Sequence, residues 1–462
     1  MEKQGVTAVF DIGRTNKKFF LFDEDYREVH REYVSLAEIK DEDGYPTENI
    51  QALQEWLREV FHRILDERIF DVRAVNFSSY GASFVHLGAD GEIVTPLYNY
   101  TKPLDPALIE EFYAKYGPEE KFTLHTGSPN SGMLNSGMQL YWLKHRKPAI
   151  FERIKYSLHL PQFLSYVFTG IPLSEYTSIG CHTGLWDYQK RDYHDWVYAE
   201  DIDRILPPIV SSETSIQLNY HGRRIAFGVG IHDSSAALLP YLRSEQSPFV
   251  LVSTGTWSVS LNPFVSGALT RRDLGSDCLN YMRIDGKPVR AARLFLGQAY
   301  KEHVAKLGDH FGVSNDRHRS VRFDHGIYGE IMRDYRPWFH FEQLGRSENP
   351  AVTTIPTDSY DYAYHHLLIE LVELQAENIR AVTGESDVTT LFIDGGFSDN
   401  EVFLQLISDR FRNLDLRTTD ASLGSALGAA ICITDKDLNA NFLEKNYGLK
   451  KHQPFTRKGA DA

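Results

Sequence analysis

The sequence predicts an α/β protein built from two similar halves around a cleft. Three observations point there. Short apolar strand patterns alternate with long helical ones through most of the 462 residues. A strand, a glycine-bearing polar turn and a second strand open the chain at 6–22, and the same arrangement returns at 249–261. Strand ends run into small or acidic residues, as at His232-Asp233-Ser234 and Asp394-Gly395-Gly396.

Taken in order, Val6 to Phe10 and Lys18 to Phe22 read as a hairpin around Asp11-Ile-Gly-Arg-Thr-Asn-Lys17. Residues 47–66 carry Ile50, Leu53, Leu57, Val60, Phe61 and Ile64 at three- and four-residue spacing, an amphipathic helix. Val72 to Phe77 is a strand ending in Ser78-Ser79-Tyr80-Gly81, and Ile225 to Val229 another, leading to Asp233. Arg243 to Pro248 reads as a linker, so the first half is 1–242. The second is 243–434, opened by the strand at Phe249 and the turn Ser253-Thr-Gly-Thr-Trp257. Within it, 264–357 is polar and weakly periodic and reads as an insertion or lid. Residues 359–382 form a long helix on Leu367, Leu368, Leu371, Val372, Leu374 and Ile379, followed by a strand at 389–393 and a helix at 400–410. Residues 421–430 are a small-residue helix suited to tight packing, and 435–462 form a polar tail.

Composition excludes several classes. Hydrophobic residues make up 42% and charged residues 24%, ordinary globular values. The net charge of −14 disfavours nucleic acid as a partner, while leaving room for a small anionic ligand held by local positive potential. The three cysteines, Cys181, Cys278 and Cys432, are far apart and form neither a disulfide framework nor a CxxC metal pair. No stretch has the length of a membrane span, and the opening MEKQGVTAVFDIG lacks a secretion signal, so a cytoplasmic protein is expected. Neither GxxxxGK[ST] nor GxSxG occurs, and His365-His366 lacks HExxH spacing.

Four motifs can carry chemistry. In the first turn Gly13 permits close approach of the backbone to a ligand, and Thr15, Lys17 and Lys18 can hold phosphate oxygens. Asp11 can hold Mg²⁺, which takes few carboxylates and keeps most of its waters. Asp233, at a strand end, can accept the proton of an alcohol attacking phosphorus. Equally, it is a ready helix cap. The hydroxyls of Ser253 to Thr256 suit phosphate, and Gly395-Gly396 suits a flat ligand such as a purine. Each of these turns also serves as an ordinary polar turn.

In this order, the motifs resemble those of the FGGY carbohydrate kinases in the actin/hexokinase-like superfamily. The deoxyketose branch is nearest: rhamnulokinases, and more loosely fuculokinases. The likeness runs over about 6–434 and includes Ser78 to Leu87, Thr126-Gly127, Leu160 to Tyr166, Ser174 to Thr177 and Asp277 to Tyr281. It implies two RNase H-like domains, with a lid-like insertion in the second, and Mg²⁺-dependent transfer of the γ-phosphoryl group of ATP to a ketose hydroxyl. By position Asp233 is the implied catalytic base and, with Asp11, the metal-side acid. Gly81, Ala82, His232 and Ser234 are the implied sugar contacts. Arg14, Thr15, Asn16, Lys17, Lys18, Thr254, Gly255, Thr256, Gly395 and Gly396 are the implied nucleotide contacts. A homodimer without nucleic-acid or membrane partners is the implied assembly.

The chain departs from the family pattern at Leu294, where a polar residue is expected after Arg293, and at Glu302, where Gln is expected. Leu406-Ile-Ser-Asp409 and Ser425 also differ, and the first turn is unusually basic. These bear on the sugar rather than on the reaction. The competing readings are a xylulose-, ribulose- or glycerol-type kinase of the same family, and a non-catalytic actin-like nucleotide-binding protein. The His232-Asp233 pair speaks against the second, which needs no base beside a sugar pocket.

Overall fold

In the first half, strand β1 (Gln4–Ile12) is apolar on both faces and takes the centre of a sheet. It pairs antiparallel with β2 (Lys17–Asp23), which pairs antiparallel with β3 (Glu28–Val34). Helix α1 (Ile50–Glu67) begins where Asn49 accepts the N–H of Ala52, and it buries all six residues of its predicted stripe. Next comes β4 (Phe70–Ser79), parallel to β1, and then α2 (Leu160–Thr169). The half closes with β5 (Ser215–Tyr220), β6 (Arg223–Gly228), the two-residue β7 (Ile231–His232) and helix α3 (Asp233–Ser244). The sheet order is β5-β6-β4-β1-β2-β3, with β7 extending the far end of β4. This computed structural model describes residues 3–14, 16–265, 268–344, 355–420, 423–434, 438–439 and 441–455.

The second half repeats the plan. Strand β8 (Phe249–Thr254) pairs antiparallel with β9 (Ser258–Asn262), as β1 does with β2. Then follow β10 (Cys278–Met282), β11 (Pro288–Leu294), α4 (Leu296–Phe311) and the long α5 (Tyr360–Thr383). Strand β12 (Thr390–Gly395) lies parallel to β8, as β4 does to β1. Helix α6 (Glu401–Arg410), β13 (Asp415–Thr419), α7 (Gly424–Cys432) and β14 (Lys450–His452) complete it, in sheet order β10-β11-β9-β8-β12-β13-β14.

Two stretches differ from expectation. Residues 442–452, read as part of a polar tail beyond the second half, bury Phe442, Leu443 and Tyr447 in the core and add β14 to the second sheet. Residues 278–294, inside the polar segment read as an insertion, are two strands of the main sheet. Their polarity is internal: Arg290 is buried, reaching Asp273 at 2.7 Å and Asn280 at 3.2 Å, so charge and amide satisfy one another under the strand.

A shared core joins the halves. Val9, Phe20 and Phe22 of the first sheet and Leu251 and Phe392 of the second meet α3 and α7 between them. Burying such side chains contributes roughly 1.5–3 kcal/mol each. The helices cross closely at Gly428, where an added Cβ would stand 1.8 Å from the carbonyl oxygen of Ala236. That contact accounts for the small-residue pattern of α7. Among the described residues no helix is long and apolar enough to cross a membrane.

Candidate functional site

The β8–β9 hairpin and the end of β12, with the starts of α3 and α7, line a cavity of about 470 Å³ where the halves meet. Asp233, Ser234, Ser253, Asp394, Gly395 and Ser425 line it. Brief strand ends meeting helix starts leave backbone groups and short polar side chains facing a ligand.

His232, rather than Asp233, is the cap of α3: its Nδ1 accepts the N–H of Ser234 at 3.2 Å. Asp233 therefore stands as the first helical residue, its side chain one-third exposed to the cavity. Its Oδ1 accepts the Ser234 N–H at 2.5 Å and the Ser234 hydroxyl at 3.2 Å. Its Oδ2 has no partner among the described residues. The carboxylate is thus held by one oxygen and open at the other, the arrangement a proton acceptor needs.

Asp11 is buried beside this cavity, within electrostatic range of Asp233. Its Oδ1 accepts the Ser425 hydroxyl at 2.9 Å, and Lys18 Nζ stands 3.9 Å from its Oδ2. Burial pushes the Asp11 carboxyl above its ordinary range, Lys18 and Ser425 draw it back, and the charge of Asp233 raises it further. Across the cavity, burial pushes Asp394 up to about 6, against the hydroxyls of Ser253 and Tyr241. The two halves show an exchange here. In register Asp11 stands beside Ser78, and Ser253 beside Asp394, so the same serine–carboxylate pair occurs with its strands swapped.

On the first-half side, His232 is buried and its imidazole lies on Gly81, where an added Cβ would meet ring atoms at 2.7 Å. Ala82 is buried with φ of 61°, and its carbonyl accepts Gln139 Nε2 at 2.6 Å. Ala82 shapes the backbone behind the wall. Tyr281, from the second half, packs 5.8 Å from His232, ring to ring. Gly81, His232, Asp233 and Ser234 are therefore brought together.

The two expected phosphate turns divide by register. Asp11 pairs with Lys18 and Ile12 with Lys17, so the lysines point to opposite faces of the sheet. Lys18 faces the cavity side with Asp11. Lys17 is buried on the other face, where its Nζ donates to the carbonyls of Gly13 at 3.0 Å and Arg14 at 2.8 Å and pairs with Glu48 at 2.9 Å. It tightens its own turn and is not brought to the cleft. Arg14 is exposed, with its guanidinium 5.1 Å over Tyr100, and Asn16 closes the turn by accepting the Gly13 N–H at 3.1 Å. Thr15 lies outside the described residues.

In the second turn Gly255 and Thr256 are exposed, whereas Thr254 is buried. The Thr254 hydroxyl donates to the carbonyl of Asp394 and accepts the N–H of Phe397 at 3.0 Å. Its carbonyl accepts the N–H of Gly396 at 2.8 Å. Thr254 thus fastens the turn to the Gly-Gly loop. Gly395 has φ of 78°, and a Cβ there would stand 1.9 Å from the Thr254 carbonyl, so only glycine fits.

Comparison with known proteins identifies the family. Residues 6–235 match the N-terminal domain of the FGGY family of carbohydrate kinases, and 246–441 match the carbohydrate kinase FGGY C-terminal domain. The chain belongs to the FGGY family of carbohydrate kinases. It is 22% identical over 358 residues to a rhamnulokinase of Oceanobacillus iheyensis, covering 73% of each chain. It is 25% identical over 408 residues to a rhamnulokinase of Mannheimia succiniciproducens, covering 82% of this chain and 80% of that one. A carbohydrate kinase from Novosphingobium aromaticivorans superposes with a TM-score of 0.82 at 22% identity, over 99% of this chain and 96% of that one. The fold is the two-domain actin/hexokinase-like one, and the chain is a carbohydrate kinase.

Ser253 lines the kinase cleft as part of the hydroxyl turn, while two other lining groups, Asp394 and Ser425, escaped the sequence reading as site residues. A signal existed for Asp394, which ends a strand before Gly-Gly as Asp11 ends one before a glycine turn. For Ser425 there was none, because its bond to Asp11 joins residues 414 apart in sequence. Away from the cleft, His125, Asp187 and His194 bring potential metal-ligand atoms within 4.8 Å of one another. The buried Asp187 carboxylate already accepts the N–H groups of Gln189 and Lys190 and contacts His125, an arrangement that closes a hairpin.

Proposed function

We propose that this kinase transfers the γ-phosphoryl group of ATP to a hydroxyl of a ketose or deoxyketose of the rhamnulose or fuculose kind, with Asp233 as the base. One observation carries this: the carboxylate is fixed through Oδ1 and open at Oδ2, beside the His232–Gly81 wall and across the cavity from Gly395. The acceptor lies on the first-half wall, against Gly81, His232 and Ser234. Its alcohol gives its proton to Asp233 Oδ2 as it attacks phosphorus, so negative charge does not build up on the attacking oxygen. The phosphates lie beside Gly13 and Lys18 and along the exposed backbone of Gly255-Thr256, and the adenosine lies on Gly395-Gly396.

Asp11 and Asp233 would hold Mg²⁺. Two neighbouring carboxylates, one of them raised by burial and by the other's charge, form a hard-oxygen pair that a divalent cation relieves. Bound there, Mg²⁺ would offset charge on the phosphoryl oxygens. Lys18 supplies a fixed positive charge on the same face. Ser425, from the second half, orients Asp11. We place the protein in the cytoplasm, a reading supported by three buried, unpaired cysteines.

The relatives named as rhamnulokinases support the deoxyketose class. The test is ADP release with ATP and Mg²⁺ over rhamnulose, fuculose, xylulose, ribulose and erythrulose. Highest kcat/KM on rhamnulose or fuculose is expected. Highest kcat/KM on xylulose, ribulose or erythrulose, or activity on none of the five, overturns the reading.

A further inference from the structure

The sequence drew attention to Leu294, but strand register turns attention to its neighbour. In the β9–β11 pair, Ser258 stands opposite Leu294 and Val259 opposite Arg293. Ser258 faces α5, bonding Gln375 at 2.6 Å, and Leu294 packs into the core on that side. Val259 and Arg293 share the other face, and Val259 lines the cleft cavity together with Asp233. Arg293 is therefore the side chain that β11 offers to the cleft.

The surroundings of Arg293 are those of a cation awaiting a ligand. It is half-buried, its guanidinium lies 6.0 Å from the centre of the Trp257 ring, and Trp257 packs on Phe295 while remaining half-exposed. Among the described residues it has neither carboxylate nor carbonyl partner. Removing a guanidinium partly from water without a partner is costly, whereas the chain's other half-buried and buried arginines, such as Arg290 and Arg410, are paired. Its neighbours are on the acceptor side: Tyr281, whose ring packs 5.8 Å from that of His232, lies within electrostatic range of both Arg293 and Asp233, as does Cys181.

We infer that Arg293 is a specificity-determining residue for the acceptor, its N–H fork donating to acceptor oxygens other than the one that is phosphorylated. The inference rests on the kinase reading and goes beyond it by naming a second-half side chain that reads the sugar. The ligand class is an oxygen-rich acceptor whose vicinal hydroxyl, carbonyl or carboxylate oxygens fit a planar donor pair.

The test compares wild type with Arg293→Met and Arg293→Lys over neutral ketoses, polyols and sugar acids, following ADP release and thermal midpoints. In Arg293→Met the acceptor KM should rise by at least about tenfold while the ATP KM stays within about twofold, with the midpoint unchanged. Arg293→Lys should recover only part of this, because an ammonium lacks the fork. Slow ATP hydrolysis without acceptor should be the same in all three. An unchanged acceptor KM overturns the inference. So does a fall in acceptor-free hydrolysis or a matching rise in ATP KM, either of which would assign Arg293 to the phosphates. Phosphorylation of polyols or sugar acids alone would refute the ketose reading and leave the Arg293 comparison intact.

Discussion

Ser425 Oγ donates a 2.9 Å hydrogen bond to Asp11 Oδ1, and that bond spans the cleft between the two halves. Asp11 ends the first strand of the first half, and Ser425 opens a helix of the second. A buried carboxylate near another carboxylate depends on such donors to ionise. Ser425→Ala removes the donor, so Asp11 should hold its proton to higher pH. The acid limb of the kcat/KM profile should move upward by about one pH unit, with the thermal midpoint little changed. A limb that stays in place would show that Asp11 ionisation does not govern activity.

The open oxygen of Asp233 leads to a sharper expectation. Asp233→Asn keeps the size of the side chain and can keep the Ser234 contacts, but it cannot take a proton from an alcohol. Turnover should fall by at least about 100-fold. Nucleotide affinity, read by calorimetry without Mg²⁺, should stay within about twofold, since the Gly-Gly loop lies on the other half. Retained turnover on any accepted sugar would remove Asp233 from the chemistry.

The architecture was legible because it rests on local patterns. Helix α1 follows a six-residue apolar stripe, and the duplicated strand–turn–strand units stand out as repeats. What escaped depends on partners remote in sequence. Lys17 and Lys18 look alike as a basic pair, yet strand alternation sends one to each face, and only pairing with Ile12 and Asp11 shows which. Arg290 looks like a solvent-facing charge until Asp273 and Asn280 are placed around it. Arg293 and Leu294 pose the same one-residue ambiguity, resolved by Val259 and Ser258 across the strand pair. Alternation within one strand states that neighbours point oppositely; it takes the second strand to say where.

The Gly-Gly loop divides in the same manner, and the division is testable. At Gly395 any side chain meets the Thr254 carbonyl and adopts a positive φ, so Gly395→Val should damage the loop itself. At Gly396 the nearest heavy atom to an added Cβ is 3.9 Å away, so a side chain fits the protein and, on the proposed placement of the adenosine, would collide with it. Gly396→Val should weaken ATP binding by about tenfold or more while leaving the melting midpoint intact. Gly395→Val should lower both. Equal nucleotide affinity in Gly396→Val and wild type, measured by calorimetry, would move the adenosine away from this loop.

Asp394 makes the fold itself sensitive to pH. Its carboxyl is pushed up to about 6 from an ordinary 3.8. Between those values the folded chain holds a proton that the unfolded chain has released, so this contribution to stability falls as pH rises through the window. It is whole below about 4 and lost above about 6, a swing of about 3 kcal/mol. The groups facing Asp394 are the hydroxyls of Tyr241, at 3.4 Å, and Ser253, with Tyr447 farther off; none of them titrates in that range. Asp394→Asn stays neutral throughout, can still accept from Tyr241 and carries no such swing. Measured against wild type, the variant should therefore gain stability as pH goes from 4.5 to 7.5, the direction opposite to that expected for a salt-bridged aspartate. Parallel stability curves for the two proteins across that range would mean that Asp394 ionises normally in the folded chain.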